Sequence, residues 1–205
     1  MTVYHSMMAG IRQEQRARTR ETVLDAAMRC LVESGYSGTS THRVQELAGV
    51  SRGALLHHFG SREELLVAAV HYIADQRLLA IRRAARGVDD GPDSLRGVVY
   101  AMYESMSGPA FLAAMELWTA ARTDAALRAA LQPAERQLGA ALRGIFDEYT
   151  RIDDPETART TFESLLAMMR GLELARILRH DQGIIDRVIE QWIEVYLERP
   201  GRPSS

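Results

Sequence analysis

There is no lysine among the 205 residues: all 25 basic side chains are arginine. Every cationic contact, apart from a charged histidine or an amino terminus, must therefore be made by a guanidinium. One cysteine, Cys30, excludes a disulfide framework and a cysteine-built zinc site. No apolar run approaches the roughly 20 residues that a bilayer span needs, and Met1 to Gly10 lacks the apolar centre of a signal peptide. A soluble, cytoplasmic chain without a membrane partner is expected. No stretch alternates apolar and polar residues for long enough to make a strand. Also missing are a glycine-rich phosphate loop, a Gly-x-Ser-x-Gly elbow and a His-Glu-x-x-His pair, so the common enzyme signatures have no foothold. The charge surplus is small, −2 overall, which taken alone argues against a nucleic-acid partner. What is present is 46% hydrophobic and 25% charged residues, enough to bury a core.

Periodicity near 3.6 residues runs through nearly the whole chain and predicts an all-α protein of about nine helices. The first is expected from about Arg12 to Ser34, with Val23, Leu24, Ala27, Leu31 and Val32 inward and Gly35 as its stop. A cluster of capping residues, Gly38-Thr39-Ser40-Thr41, opens a second, two-turn helix that Gly49-Val50-Ser51 interrupts. A third short helix spans Arg52 to about His58. Ser61-Arg62-Glu63-Glu64 matches a capping box and starts a long helix ending near Gly87. Beyond the polar break Val88–Pro92, helices are expected at about Asp93–Met106, Pro109–Ala121, Asp124–Tyr149, Pro155–His180 and Gln182–Glu198. Pro133 should kink or split the Asp124–Tyr149 element. The resulting organisation is a head at residues 1–66, a helical body at 67–199 and a frayed tail at 200–205.

Two short helices joined by a three-residue turn, with a longer helix on either side, fit a helix-turn-helix. A plain helical hairpin inside a bundle fits the same periodicity. The specific residues narrow the choice. Gly35-Tyr36-Ser37-Gly38-Thr39-Ser40, then Leu47-Ala48-Gly49-Val50-Ser51-Arg52-Gly53-Ala54-Leu55-Leu56-His57-His58-Phe59, then Ser61-Arg62-Glu63-Glu64-Leu65-Leu66, resemble the DNA-binding domain of the TetR family of one-component transcriptional regulators. The resemblance runs without a gap from about Thr19 to Leu66. Two positions depart from it: Gln45 stands where the family usually has a small residue, and Leu56 where it often has a phosphate-contacting tyrosine.

The resemblance implies a DNA-binding surface of Ser40, Thr41, His42, Ser51, Arg52, Gly53, Ala54, His57 and His58. Ser51 should cap the third helix. Arg52 is suited either to pair with guanine O6 and N7 or to clamp a phosphate. Gly53 permits close approach, and Ala54 can touch a thymine methyl. Thr41 and His42 sit at a helix N-terminus, where a phosphate is favoured. Adjacent histidines on a helix point about 100° apart, so His57 and His58 do not form a metal site; the resemblance implies a phosphate contact for at least one of them, with the other packing beside Phe59. Arg12, Arg16, Arg18 and Arg20 form a basic arm or a solvated helix face. Counted by region, residues 1–66 carry eight arginines against seven acids, and four of the six histidines. The head is thus weakly positive on a negative body.

A lone helix-turn-helix contacts few phosphates, so such proteins bind palindromic half-sites in double-stranded DNA as two-fold dimers. Phe162, Leu166, Met169, Ile185, Val188 and Trp192 are the expected interface of a homodimer. They come from the last two helices, each of which carries two apolar stripes; a central helix pair within a monomer would look the same. Tyr103, Met106, Met115, Trp118, Phe146 and Met168 are soft and aromatic residues suited to an effector pocket of unknown ligand, or equally to an ordinary core. Glu116, Arg170 and Glu173 lie in apolar stretches, where they could hold a ligand, pair with one another or face solvent. Cys30 reads as a small core residue. No cofactor or metal is implied. The expected function is a ligand-responsive regulator that releases its operator when an effector binds. The alternatives are a DNA-binding regulator without an effector, or an all-α enzyme using the central cavity.

Overall fold

In the computed structural model the described backbone covers residues 2–86, 94–150, 152–179 and 181–197, with side chains described from residue 10 onward except at 84–86. The tail expected at 200–205 lies outside these residues. Nine helices are found among them: α1 (Thr2–Gly38), α2 (Thr41–Ala48), α3 (Arg52–His58), α4 (Arg62–Arg86), α5 (Ser94–Ser105), α6 (Pro109–Ala121), α7 (Ala125–Thr150), α8 (Pro155–Arg176) and α9 (Gln182–Tyr196). None of the described helices is long and apolar enough to cross a membrane.

Each boundary has a local cause. Ser40, Ser51, Asp154 and Asp181 accept the first free amides of α2, α3, α8 and α9, as capping residues do. Gly35, at φ 68°, breaks the helical path inside α1, so the expected stop is a kink followed by a last short turn. The beginning of α1 differs more from expectation. The helix reaches back to Thr2 because nothing before Arg12 ends it; there is no proline, and Gly10 costs only about 1 kcal/mol. Pro133 neither ends nor splits α7, which is continuous from Ala125 to Thr150. Pro133 and Ala129, whose carbonyl loses its i+4 partner, are both exposed, so water can take the orphaned acceptor.

The chain forms two compact units, residues 1–76 with 109–135, and residues 77–108 with 136–205. The first contains the head but does not end at residue 66, because α6 and the start of α7 pack with it. Leu31 of α1 and Leu66, Val70 and Ile73 of α4 share a core with Ala113, Ala114, Leu117, Ala121, Leu127 and Leu131. A second cluster in this unit joins Val23, Leu24, Ala27, Cys30, Val44, Leu55, Phe59, Leu65 and Ala69. Cys30 is fully buried there. The other unit buries Val98, Val99 and Met102 of α5, Leu138, Leu142 and Phe146 of α7, Leu165 and Met169 of α8, and Ile185, Ile189 and Ile193 of α9. Within it the Arg96 guanidinium spans both oxygens of Glu190, at 3.1 and 2.8 Å from Nε, and Tyr100 donates to the same carboxylate at 3.0 Å.

Candidate nucleic-acid interface

The turn between α2 and α3 is built by backbone geometry. Gly49 adopts φ 64°, ψ 27°, the left-handed conformation that glycine takes at least cost. Its amide closes α2 onto the Gln45 and Glu46 carbonyls, and the Val50 amide donates to Gln45 O at 3.3 Å. The chain then re-enters a helix at Ser51, whose Oγ accepts the Ala54 amide at 3.1 Å. Ser40 does the same for α2 through the Arg43 amide at 3.2 Å.

One side of α3 is anchored and the other is free. Leu55 and Phe59 are 1% and 3% exposed and pack among Val23, Val44 and Leu65. Ser51, Arg52, Gly53, Leu56 and His57 are exposed, and Ala54 and His58 are half-buried. No heavy atom lies within 4 Å of where a Cβ on Gly53 would stand, so this face is open at the backbone as well. Thr41, His42, Gln45, Arg52, Leu55 and Leu56 line a crevice of about 190 Å³ between the two short helices. Gln45 is accommodated there, half-buried, in place of the small residue expected. His42 is exposed, with Nδ1 3.5 Å from Glu46 Oε2. The expected surface residues of α2 and α3 are thereby gathered on adjoining faces, with Ser40 and Ser51 engaged as caps.

His57 and His58 meet edge to face, 5.7 Å between ring centres. Partial burial first, then Arg16, His57 and Arg20, hold the His58 pKa below the ordinary histidine value. The Arg20 guanidinium lies 5.6 Å from the centre of the Phe59 ring. Among the described residues no group of three or more His, Cys, Asp or Glu side chains is placed to hold a metal.

Arg62, Tyr36 and Asp124, which no sequence motif links, hold the head in register. Arg62, at the first position of α4, donates from Nε to Thr39 O and from Nη2 to Tyr36 O, both at 2.8 Å. Its guanidinium lies 4.8 Å from the centre of the Tyr36 ring. Tyr36 donates its hydroxyl to Asp124 Oδ2 at 3.1 Å and its amide to Glu116 Oε2 at 3.4 Å. Asp124 also caps α7 through the Leu127 amide at 2.9 Å. That amide first, and then the Tyr36 hydroxyl, hold its carboxyl below the ordinary aspartate range. The signal was available in the sequence: a cation at a helix N-terminus opposes the dipole, so Arg62 needed acceptors elsewhere. At the same place the second carboxylate of the capping box, Glu64, reaches the Gly60 amide at 2.8 Å, one residue before the cap.

The remaining expectations separate. Of the pocket residues, Met115 and Trp118 lie on α6 in the first unit. Tyr103, Met106, Phe146 and Met168 lie in the second. Tyr103, Met106 and Phe146 are 5%, 1% and 0% exposed. Glu116 and Glu173 do not pair: Glu116 serves Tyr36, whereas the buried Glu173 accepts Tyr103 Oη at 2.6 Å and Arg176 Nη1 at 3.2 Å. That carboxylate and burial push the Tyr103 phenol up to about 12, burial being the larger cause. The residues expected at a dimer interface lie mostly on the inward stripe. Phe162, Leu166, Met169, Ile185 and Trp192 are buried within the chain's own core, and only Val188 is partly exposed. The large apolar residues left open here are Leu174 on α8, Ile177 and Leu178 just after it, and Ile184, Val195 and Tyr196 on α9.

Two family descriptions match the chain: "Bacterial regulatory proteins, tetR family" over residues 23–69, and "Tetracyclin repressor-like, C-terminal domain" over residues 86–199. The HTH-type transcriptional regulator BetI of Burkholderia thailandensis is 29% identical over 168 residues, 80% of this chain and 83% of BetI. The HTH-type transcriptional repressor AcnR of Corynebacterium glutamicum is 46% identical over 50 residues, 24% of this chain and 27% of AcnR. Among solved structures, a transcriptional regulator from a Rhodococcus species superposes with a TM-score of 0.69 at 23% identity, covering 87% of this chain and 96% of that one. A TetR-family member from Streptomyces coelicolor superposes at 0.63 and 23% identity, covering 85% and 97%.

Proposed function

The chain belongs to the tetR family of bacterial regulatory proteins, and from that premise we propose that it is a homodimeric repressor that releases a palindromic operator when a small molecule binds its helical body. That it is a DNA-binding transcriptional regulator, and not an enzyme, comes with the family. The observation that supports docking through α3 is its asymmetry: Leu55 and Phe59 are buried while Arg52, Gly53 and His57 stand open. In the proposed complex α3 enters the major groove. Arg52 pairs with guanine, Gly53 lets the backbone approach, and Ala54 meets a thymine methyl. Thr41, His42 and His57 contact phosphates, the first two at the N-terminus of α2.

The dimer would close over the exposed apolar residues of α8 and α9. An effector would act by shifting α4, which supplies Leu65 and Leu66 to the core of one unit and Leu78 and Ile81 to the buried residues of the other. Only a ligand that binds the two states unequally can do this.

One observation favours a regulator without a small-molecule effector: Tyr103, Met106 and Phe146 are as buried as ordinary core. A thermal-shift screen separates the two readings, since a specific ligand raises the melting temperature by linkage. If a broad screen of apolar and amphipathic compounds moves nothing, the second reading stands. The DNA assignment is tested by gel shift on the region upstream of the chain's own gene. Arg52→Ala should weaken binding roughly 5- to 150-fold, corresponding to about 1–3 kcal/mol for a bidentate base contact. Unchanged affinity would remove Arg52 from the interface.

A further inference from the structure

The first helix carries a surface that the recognition helix does not account for. On α1, Val23, Leu24, Ala27 and Leu31 form the stripe that packs into the head. Followed toward the amino terminus at 100° per residue, the same side continues as Arg20, Arg16 and Arg12, spaced four residues apart. The acids of this segment, Glu14 and Glu21, project from the opposite side with Arg18. Residues 10–18 are all exposed, and so is Arg20. Among the described residues no carboxylate pairs with Arg12, Arg16 or Arg20.

Toward the amino terminus the core stripe gives way to three exposed cations without a carboxylate partner among the described residues, yet the helix continues through them. Its inner end touches α3 directly, since the Arg20 guanidinium lies over the Phe59 ring at 5.6 Å. Arg16 and Arg20 are also close enough to His58 to disfavour its charged form. Cations gathered this way repel one another, and an anion laid along them relieves the repulsion.

We infer that Arg12, Arg16 and Arg20 form a guanidinium ladder that binds the phosphate backbone of duplex DNA beside the segment entered by α3. The inference rests on the reading of α3 as the recognition helix. Duplex DNA is the occupant because the ladder is continuous with the His57–His58 end of that helix. Its charge pattern also suits a rod of regularly spaced phosphates. Eight residues of helix span about 12 Å, which corresponds to three or four base pairs at about 3.4 Å each. The contact is to backbone, so it adds affinity and salt dependence without reading sequence.

The test uses the full chain and a duplex that it selects from a random library, in two lengths. One probe ends at the edges of the selected half-sites; the other extends about four base pairs beyond each. The wild-type chain should bind the longer probe at least tenfold more tightly. Arg12→Gln/Arg16→Gln/Arg20→Gln should bind both alike. The slope of log affinity against log salt on the long probe should become shallower by nearly three per subunit. Arg12→Gln/Arg16→Gln, which leaves Arg20 on Phe59, should give about two-thirds of that change and guards against a loss caused by a disturbed head. Equal slopes and equal length dependence in wild type and variants would overturn the ladder while leaving the recognition helix in place. Loss of operator preference in Arg52→Ala tests the recognition helix separately, and a chain that selects no duplex refutes both. Binding to phosphatidylserine vesicles that vanishes in the triple variant, with DNA affinity intact, would also overturn the proposal and assign the ladder to a lipid surface.

Discussion

At the scale of single residues, the buried polar groups divide into those that hold the head and those that hold the body. In the body, Glu173 is 3% exposed and has two partners, Tyr103 and Arg176. Tyr103→Phe removes the shorter bond and leaves a buried carboxylate underpaired. A hydrogen bond to a charged group is worth about 1.5–3 kcal/mol, so chemical denaturation should show a loss of that order. The pH dependence has a definite sign. The folded-state pKa of Tyr103 is raised from the ordinary 10 to about 12, so its contribution is complete below pH 10 and disappears as pH rises to about 12. The gap between wild type and Tyr103→Phe should therefore narrow across that window; a constant gap would mean that the phenol is not held protonated by its neighbours. Ser51 shows the opposite kind of residue, legible because capping is local and depends on a three-residue spacing. The Arg62–Tyr36–Asp124 set was not legible as a set. Its members lie up to 88 residues apart, and only folding brings them together.

At the scale of elements, helix positions were largely readable because caps, glycines and apolar periodicity agree with one another at most boundaries. The predicted Pro109–Ala121 helix and the Asp154-Pro155 start of α8 coincide with the observed elements. Pro133 is the exception, and it yields a prediction. The helix runs through it without the amide bond to Ala129, at an exposed position. Pro133→Ala restores that donor and removes the clash, so it should stabilise the chain by about 1–3 kcal/mol. Melting should shift upward by about 2–4 °C per kcal/mol. A lower melting temperature would show that the proline's restriction of the unfolded chain outweighs the helix defect. The residues expected at the interface lie inside the chain for a reason that belongs to this scale. Both α8 and α9 carry two apolar stripes, and periodicity establishes that each has two faces without saying which one is inside. The indole settled it: Trp192 Nε1 donates to Ser164 Oγ at 3.2 Å within the unit, and Ile185, Ile189 and Ile193 follow Trp192 inward.

At the scale of the whole molecule, the two units leave apolar surface that a single chain has no use for. On α8, Ala167, Gly171 and Leu174 are exposed at helical spacing, and Leu178 follows them in the turn after the helix; on α9, Ile184 and Val195 are exposed with Val188 partly so. Leu178 is 88% exposed and Leu174 57%. Burying one leucine is worth about 1.5–3 kcal/mol, so a second copy covering both stripes gains several such contributions, and Ala167 and Gly171 leave room for close helix approach. The expectation is a dimer at micromolar concentration by sedimentation, converted to a monomer by Leu174→Glu with Leu178→Glu. Both side chains lie outside the chain's own core, so the double variant should keep its helical content and melt cooperatively. Its affinity for a two-half-site duplex should fall steeply, because the second head then binds as an independent molecule instead of at the high local concentration that the dimer provides. Affinity for a single half-site should hardly change. A dimer that survives both substitutions would place the interface elsewhere; a monomer that still binds two half-sites as tightly would separate dimerisation from operator recognition.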